Sequence, residues 1–420
     1  MIYIIPSIIL LFAINRVLNL PLSSPPGIYS IVWCSFIFFS LLILSDTYHF
    51  TYYGIMWIFC SSLLLSIGYS IKLKVRKSNT EVDKNNIIMP NISWTLLLIF
   101  IILSLIGFVL SAMKYGVSLN VFSDFNSLQN ASHTISVQRY SGASARMSIL
   151  EQILNSFIYV LPLCGGYSLL YADTYKKQLL IALTAVPSVL FMLLTSAKLA
   201  LVAYMILFFV SYYVSYLYIK KTFIKINFKK VFQALITGFA LYQLFYLSFI
   251  LRVGTNSAIT GKIIVTRLGI YAFGHIQAFD VWIPKYLSSN AVYGLGGNTF
   301  LAFSSLLGFM DKIQGVYEFI SESPTNVFTQ FRALITDFGL LFGLFIILLL
   351  GVLLNYLNEN LIISTSRAFV FQQVLYISIL FYLFYFIVSP WTYLTFILAF
   401  VIFYFYLIVA FHIRFKIRFH

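Results

Sequence analysis

Apolar positions in this chain come in long unbroken runs rather than alternating with the period of two that a membrane β-barrel requires. A membrane-spanning helix needs about 20 mostly apolar residues. Stretches of that kind lie near 2–20, 28–45, 52–71, 93–113, 150–171, 179–196, 198–219, 231–251, 334–354, 369–388 and 391–411. The pattern predicts an all-α, polytopic integral membrane protein with about 11 transmembrane helices (10–12). The first run follows Met1 with no A-x-A-type cleavage site, so the expectation is a retained first helix and no signal peptide.

Composition agrees. Of 420 residues, 61% are hydrophobic and 9% charged, against about 25% charged in soluble domains. A water-soluble fold would have to expose large apolar areas.

The formal charge of +15 raises the question of nucleic acid, which the placement of the cations excludes. They sit in short clusters between the apolar runs, as the positive-inside bias dictates, and no basic face is interleaved with aromatics. The densest clusters are 72–90, 220–230 and the tail with Arg414, Lys416 and Arg418. Eleven spans place all three on one side, expected to be cytoplasmic, with the N-terminus outside. The many Tyr near segment ends fit interfacial belts. Cys34, Cys60 and Cys164 fall within apolar runs without metal or disulfide spacing.

Two outer connections exceed the usual length of about 12–15 residues: 114–149 and 252–333. The division expected is therefore 1–251 with eight spans and the 114–149 loop, 252–333 as a large, partly helical periplasmic loop, and 334–420 with three spans and a basic tail. Runs 263–283 and 299–310 are partly apolar. The second is short enough to be re-entrant or interfacial; the first could cross, although Arg267, His275 and Asp280 oppose it.

Basic residues on the outer face run against the positive-inside bias and need a reason. They include Arg139, Arg146, Lys198, Arg252, Arg267 and Arg332. Snorkelling to lipid phosphate explains any single one. As a group they suit an anionic ligand, because guanidinium forks match phosphate oxygens. A lipid pyrophosphate at the outer interface is the substrate class this suggests. Asp337, at the entrance of a span and five residues after Arg332, is either an Arg-paired structural carboxylate or a base. His275 has the ordinary pKa of a base, although a lone His among aromatics is more often structural. No metal-ligand spacing occurs, and no phosphate-cradling GxxxxGK[ST] motif, so neither metal nor cofactor is expected. Tyr293–Asn298, with three glycines, reads as a tight turn or a weak phosphate nest.

Pro324-Thr325-Asn326, followed by Asp337-Phe338-Gly339, and Thr195-Ser196-Ala197-Lys198 opening another span, together with the long outer loop, resemble the oligosaccharide repeat-unit polymerases, the Wzy or O-antigen polymerase family. The likeness covers the topology, with sequence similarity confined to these short stretches. The related O-antigen ligases have His-Asn where this chain has Thr325-Asn326, which favours polymerase over ligase and removes the expected base. Many relatives have Arg where Lys198 stands. The resemblance implies transfer of a glycan from undecaprenyl pyrophosphate to a hydroxyl of the next lipid-linked unit, in a bacterial inner membrane with the site facing the periplasm. It also implies a Wzz-like chain-length regulator and a Wzx-like flippase as partners. Arg252, Arg332, Asp337 and His275 are then the catalytic expectations, with Arg139, Arg146, Lys198, Arg267 and Asn326 contacting substrate. The competing readings are a lipid-linked oligosaccharide flippase and, less well supported, a membrane O-acyltransferase.

Overall fold

In hydrocarbon a backbone must bond within itself, and the helix is the local way to do so. In a computed structural model of the protein, each of the apolar runs is helical. The structure describes residues 4–73, 89–140, 148–225, 227–253, 258–289, 292–311, 320, 322–363 and 370–412. In chain order the helices are α1 (Ile4–Val17), α2 (Pro25–Leu44), α3 (Tyr53–Ser70), α4 (Trp94–Lys114), α5 (Phe125–Tyr140), α6 (Ile149–Ser168), α7 (Tyr175–Leu183) and α8 (Val186–Thr195). They continue with α9 (Leu199–Lys220), α10 (Phe228–Val253), α11 (Ala258–Leu287), α12 (Leu301–Leu306), α13 (Phe331–Ile363), α14 (Val370–Phe384) and α15 (Leu394–His412).

Among the described residues, nine helices are long and apolar enough to cross a membrane, α7 and α8 counting together as Tyr175–Thr195. Two shorter apolar helices coincide with the first and tenth expected spans. The protein is a polytopic helical membrane protein.

Helix starts follow local chemistry. Ser24 accepts from the Gly27 amide ahead of Pro25 and Pro26, which lack amides to satisfy. Ser148 and Glu151 form a reciprocal capping box on α6. Close approach sets the packing between α3 and α13. A Cβ on Gly68 would lie 2.1 Å from the Leu348 carbonyl oxygen, so only glycine lets these backbones meet.

Two helices depart from simple bundle packing, and both matter for the site. The 252–333 region contains α11, a helix of 30 residues wedged against α2 and α3. Gly269 lies beside Ile43, and His275 packs on Trp33 and Phe36. Asp280 sits at the start of α3. Much of the expected loop is thus bundle core. By contrast, among the described residues α10 packs mainly through its last turns: Ser248–Leu251 are buried, whereas residues 231–240 are exposed on every face. No atom lies within 4 Å of a Cβ built on Gly238. The lower part of α10 therefore stands away from its neighbours within the chain.

Candidate functional site

The site grows from the break between α8 and α9. The Thr195 hydroxyl donates to the Phe191 carbonyl at 2.7 Å, and Ser196 turns into the left-handed region at φ 53°. The Ser196 hydroxyl lies 2.7 Å from that of Ser132 on α5 and donates to the Ser248 carbonyl of α10 at 3.4 Å. This break leaves Lys198 at the N-cap of α9. A cation there opposes the helix dipole, so its placement needs compensation from aromatic faces or an anion. The ammonium lies 3.7 Å from the Phe249 ring centroid and 5.5 Å from that of Tyr271.

Arg252 meets the same ring. Its Nη1 donates to the Tyr271 hydroxyl at 3.1 Å. The end of α10 that carries it is held by α5: Gln129 donates to the Ile250 carbonyl at 3.1 Å, and His133 Nδ1 bonds the Arg252 carbonyl at 2.8 Å. Arg267 lies one helical turn before Tyr271 on α11 and is exposed. Lys198 and Arg252 thus meet at Tyr271, with Arg267 one turn away on the same helix, and the N-terminal end of α9 adds positive potential. Below them runs the unpacked length of α10.

Arg332 is elsewhere. It is buried in the first turn of α13, its guanidinium 4.3 Å from the Phe328 ring and 5.2 Å from Trp282. Tyr271 and Trp282 are separated along α11 by about 16 Å at 1.5 Å per residue. The single arginine cluster expected from the sequence is therefore two groups on either half of α11.

The expected bases have other work. Asp337 is fully buried and accepts from the Asn298 amide at 2.9 Å, the Asn298 side chain at 2.8 Å and the Thr299 amide at 2.6 Å. The glycine turn is a nest, as its composition suggested, but its anion is the protein's own carboxylate. The carboxylate expected as a base thus takes three hydrogen bonds from the turn. The kink that admits the turn is at Gly339, with φ 79°, a value a side chain would strain.

Asp280 accepts from the backbone amides of Thr51, Tyr52, Gly54 and Ile55 and caps α3.

His275 lies in an aromatic cage, 4.9 Å from the rings of both Phe36 and Phe386. Burial there pushes its pKa down from 6.5 to about 3, so it is neutral and enclosed. The unfolded chain binds a proton below about pH 6.5 that the fold refuses, so stability contributed by neutral His275 is lost as pH falls from 6.5 towards 3. We expect the melting temperature in detergent to fall more between about pH 7 and pH 5 in the native protein than in His275→Phe. Equal slopes would mean that the imidazole protonates in place.

Asn326 is half-buried in the strap 324–327, whose Pro324 and Thr325 pack over Gly274, next to His275. The side chain of Arg139 lies outside the described residues, as does Arg146. Sequence reading missed Tyr271, Phe249, Ser132 and Trp282. Each acts through a partner on another helix, so none carries a linear signal.

The chain matches no protein-family model, no curated protein and no solved structure.

Proposed function

We propose that this protein is a membrane glycosyltransferase that polymerises undecaprenyl-pyrophosphate-linked oligosaccharides at the periplasmic face of a bacterial inner membrane. The observation that carries this reading is the shared approach of Lys198 and Arg252 to Tyr271 at the head of α9. Two cations and a helix N-terminus suit a pyrophosphate. The unpacked flank of α10 directly below suits its isoprenoid tail.

In this reaction the pyrophosphate departs from the anomeric carbon with the bonding electrons, while an acceptor hydroxyl forms the new glycosidic bond and passes its proton, directly or through water, to the departing pyrophosphate. The donor brings its own leaving group, so no nucleotide is needed. Lys198 and Arg252 stabilise the charge developing on the departing oxygen, as preorganised cations do in a water-poor site. The resemblance to repeat-unit polymerases supports the same reading, with the Wzz-like and Wzx-like proteins as proposed partners. Arg332, buried on Trp282, is placed to order the 324–328 strap rather than to join that pyrophosphate.

Deleting the gene tests the proposal. Electrophoresis of surface polysaccharide should show single repeat units in place of long chains, and the gene in trans should restore the ladder. A normal ladder in the deletion strain would overturn it. The rival flippase reading predicts that a cysteine at Arg252 reacts with impermeant reagents from both sides in turn; the polymerase reading predicts labelling from the periplasm only.

A further inference from the structure

Residues 292–310 form a flap whose exposure does not suit water. Leu295 is 83% exposed, Leu306 71%, Leu307 66% and Phe309 78%. No Lys, Arg, Asp or Glu occurs between 286 and 310. Contiguous apolar surface of this kind marks contact with a partner or a membrane.

The flap is fastened at both ends of its turn. Asp337 binds the amides of Asn298 and Thr299, the Leu295 amide donates to the Asp337 carbonyl at 3.2 Å, and Ser389 donates to the Thr299 carbonyl at 2.7 Å. Reversals at Leu295 (φ 48°), Gly296 (φ 94°) and Gly308 (φ 76°) fold it back on itself.

Depth follows from α13. From Phe338 to Leu354 this helix contains only apolar residues and glycine, a length of about 25 Å and so most of the hydrocarbon thickness. Asp337 then marks the upper boundary of the hydrocarbon, and the flap is bonded to it. The apolar surface is continuous across the junction. A Cβ on Gly296 would lie 3.7 Å from both Phe300 and Phe338, and Leu341 and Phe342 carry the exposed surface down α13.

The geometry points to a re-entrant wedge: residues 292–310 are sunk into the lipid leaflet at the N-terminal end of α13. Acyl chains occupy the cleft lined by Gly297, Phe300, Phe303, Leu307, Phe309 and Met310. A polar glycan or a soluble protein partner would leave these side chains against water until it bound. Lipid covers them at all times. The inference is independent of the proposed enzymatic activity.

The test uses the full-length protein in phospholipid vesicles, with a nitroxide on Leu306→Cys or, separately, on Phe309→Cys. Asn126→Cys on α5, which is exposed, is the aqueous reference. The unsubstituted protein measures any background from its own cysteines. At the flap positions we expect relaxation by dissolved oxygen but at least about tenfold weaker relaxation by a water-soluble nickel chelate than at Asn126→Cys. Chelate access equal to that at Asn126→Cys at either flap position would overturn the wedge. An impermeant maleimide gives a second measurement on the same variants. Reaction about tenfold slower at the flap than at Asn126→Cys supports insertion, and equal rates refute it.

Discussion

On the proposed reading, Arg252→Ala and Lys198→Ala should each reduce glycan transfer by roughly 10²–10³-fold, the range for removing one preorganised donor from a developing oxyanion. Both variants should still insert and fold. Arg252 is half-buried, and its backbone is held by α5 through His133 and Gln129 rather than by the guanidinium. Lys198→Arg keeps a cation over Phe249 and, as the resemblance to repeat-unit polymerases implies, retains most activity, whereas Lys198→Gln does not. Tyr271→Phe loses only the bond from Arg252, worth about 1.5 kcal/mol, and so costs roughly tenfold. Transfer measured with purified protein and lipid-linked donor gives the ranking. Equal activity of Arg252→Ala, Lys198→Ala and the native protein would remove the cation pair from the mechanism.

Asp280→Ala gives the second large effect, and it falls on stability. The carboxylate is fully buried and takes amides from Thr51, Tyr52, Gly54 and Ile55. The first amides of a helix have no partner within it. Losing this cap leaves several buried donors unsatisfied at about 1–3 kcal/mol each, so a loss of more than about 3 kcal/mol is expected. The measurement is yield of folded protein and melting temperature in detergent. Asp280→Asn should recover little, since its amide group would confront amide donors. A general base would behave in the opposite way, with activity abolished and melting unchanged. That outcome would place Asp280 in the chemistry.

The separation of roles among the acidic and imidazole groups has one physical cause. Irregular backbone at the end of a membrane bundle has amides that nothing else can satisfy. Asp280 serves the turn into α3, and Asp337 serves the turn at 294–299. His275 is the converse case, an imidazole kept neutral among rings. In the sequence, each was a titratable group in an outer segment and so looked available for proton transfer. Only the neighbours decide, and they come from residues 229 positions away for Asp280 and Thr51.

The helical segments were legible from residue order alone, because the hydrocarbon imposes about 20 apolar residues and a self-bonded backbone on each. The same holds for the breaks at Thr195–Lys198 and at the glycine turn, which need special backbone conformations and the small or polar residues that tolerate them. By contrast, 258–287 could not be recognised as a buried wedge. Its polar residues Arg267, His275 and Asp280 read as arguments against a crossing helix, whereas in the fold His275 lies among rings and Asp280 bonds the backbone of α3. The partition of the outer cations was equally hidden: Lys198 and Arg252 join through Tyr271, while Arg332 goes to Trp282. Burial in the bilayer acts on each segment independently and is therefore written along the chain. Which charged side chains share a ring depends on how helices distant in sequence pack, and packing alone decides it.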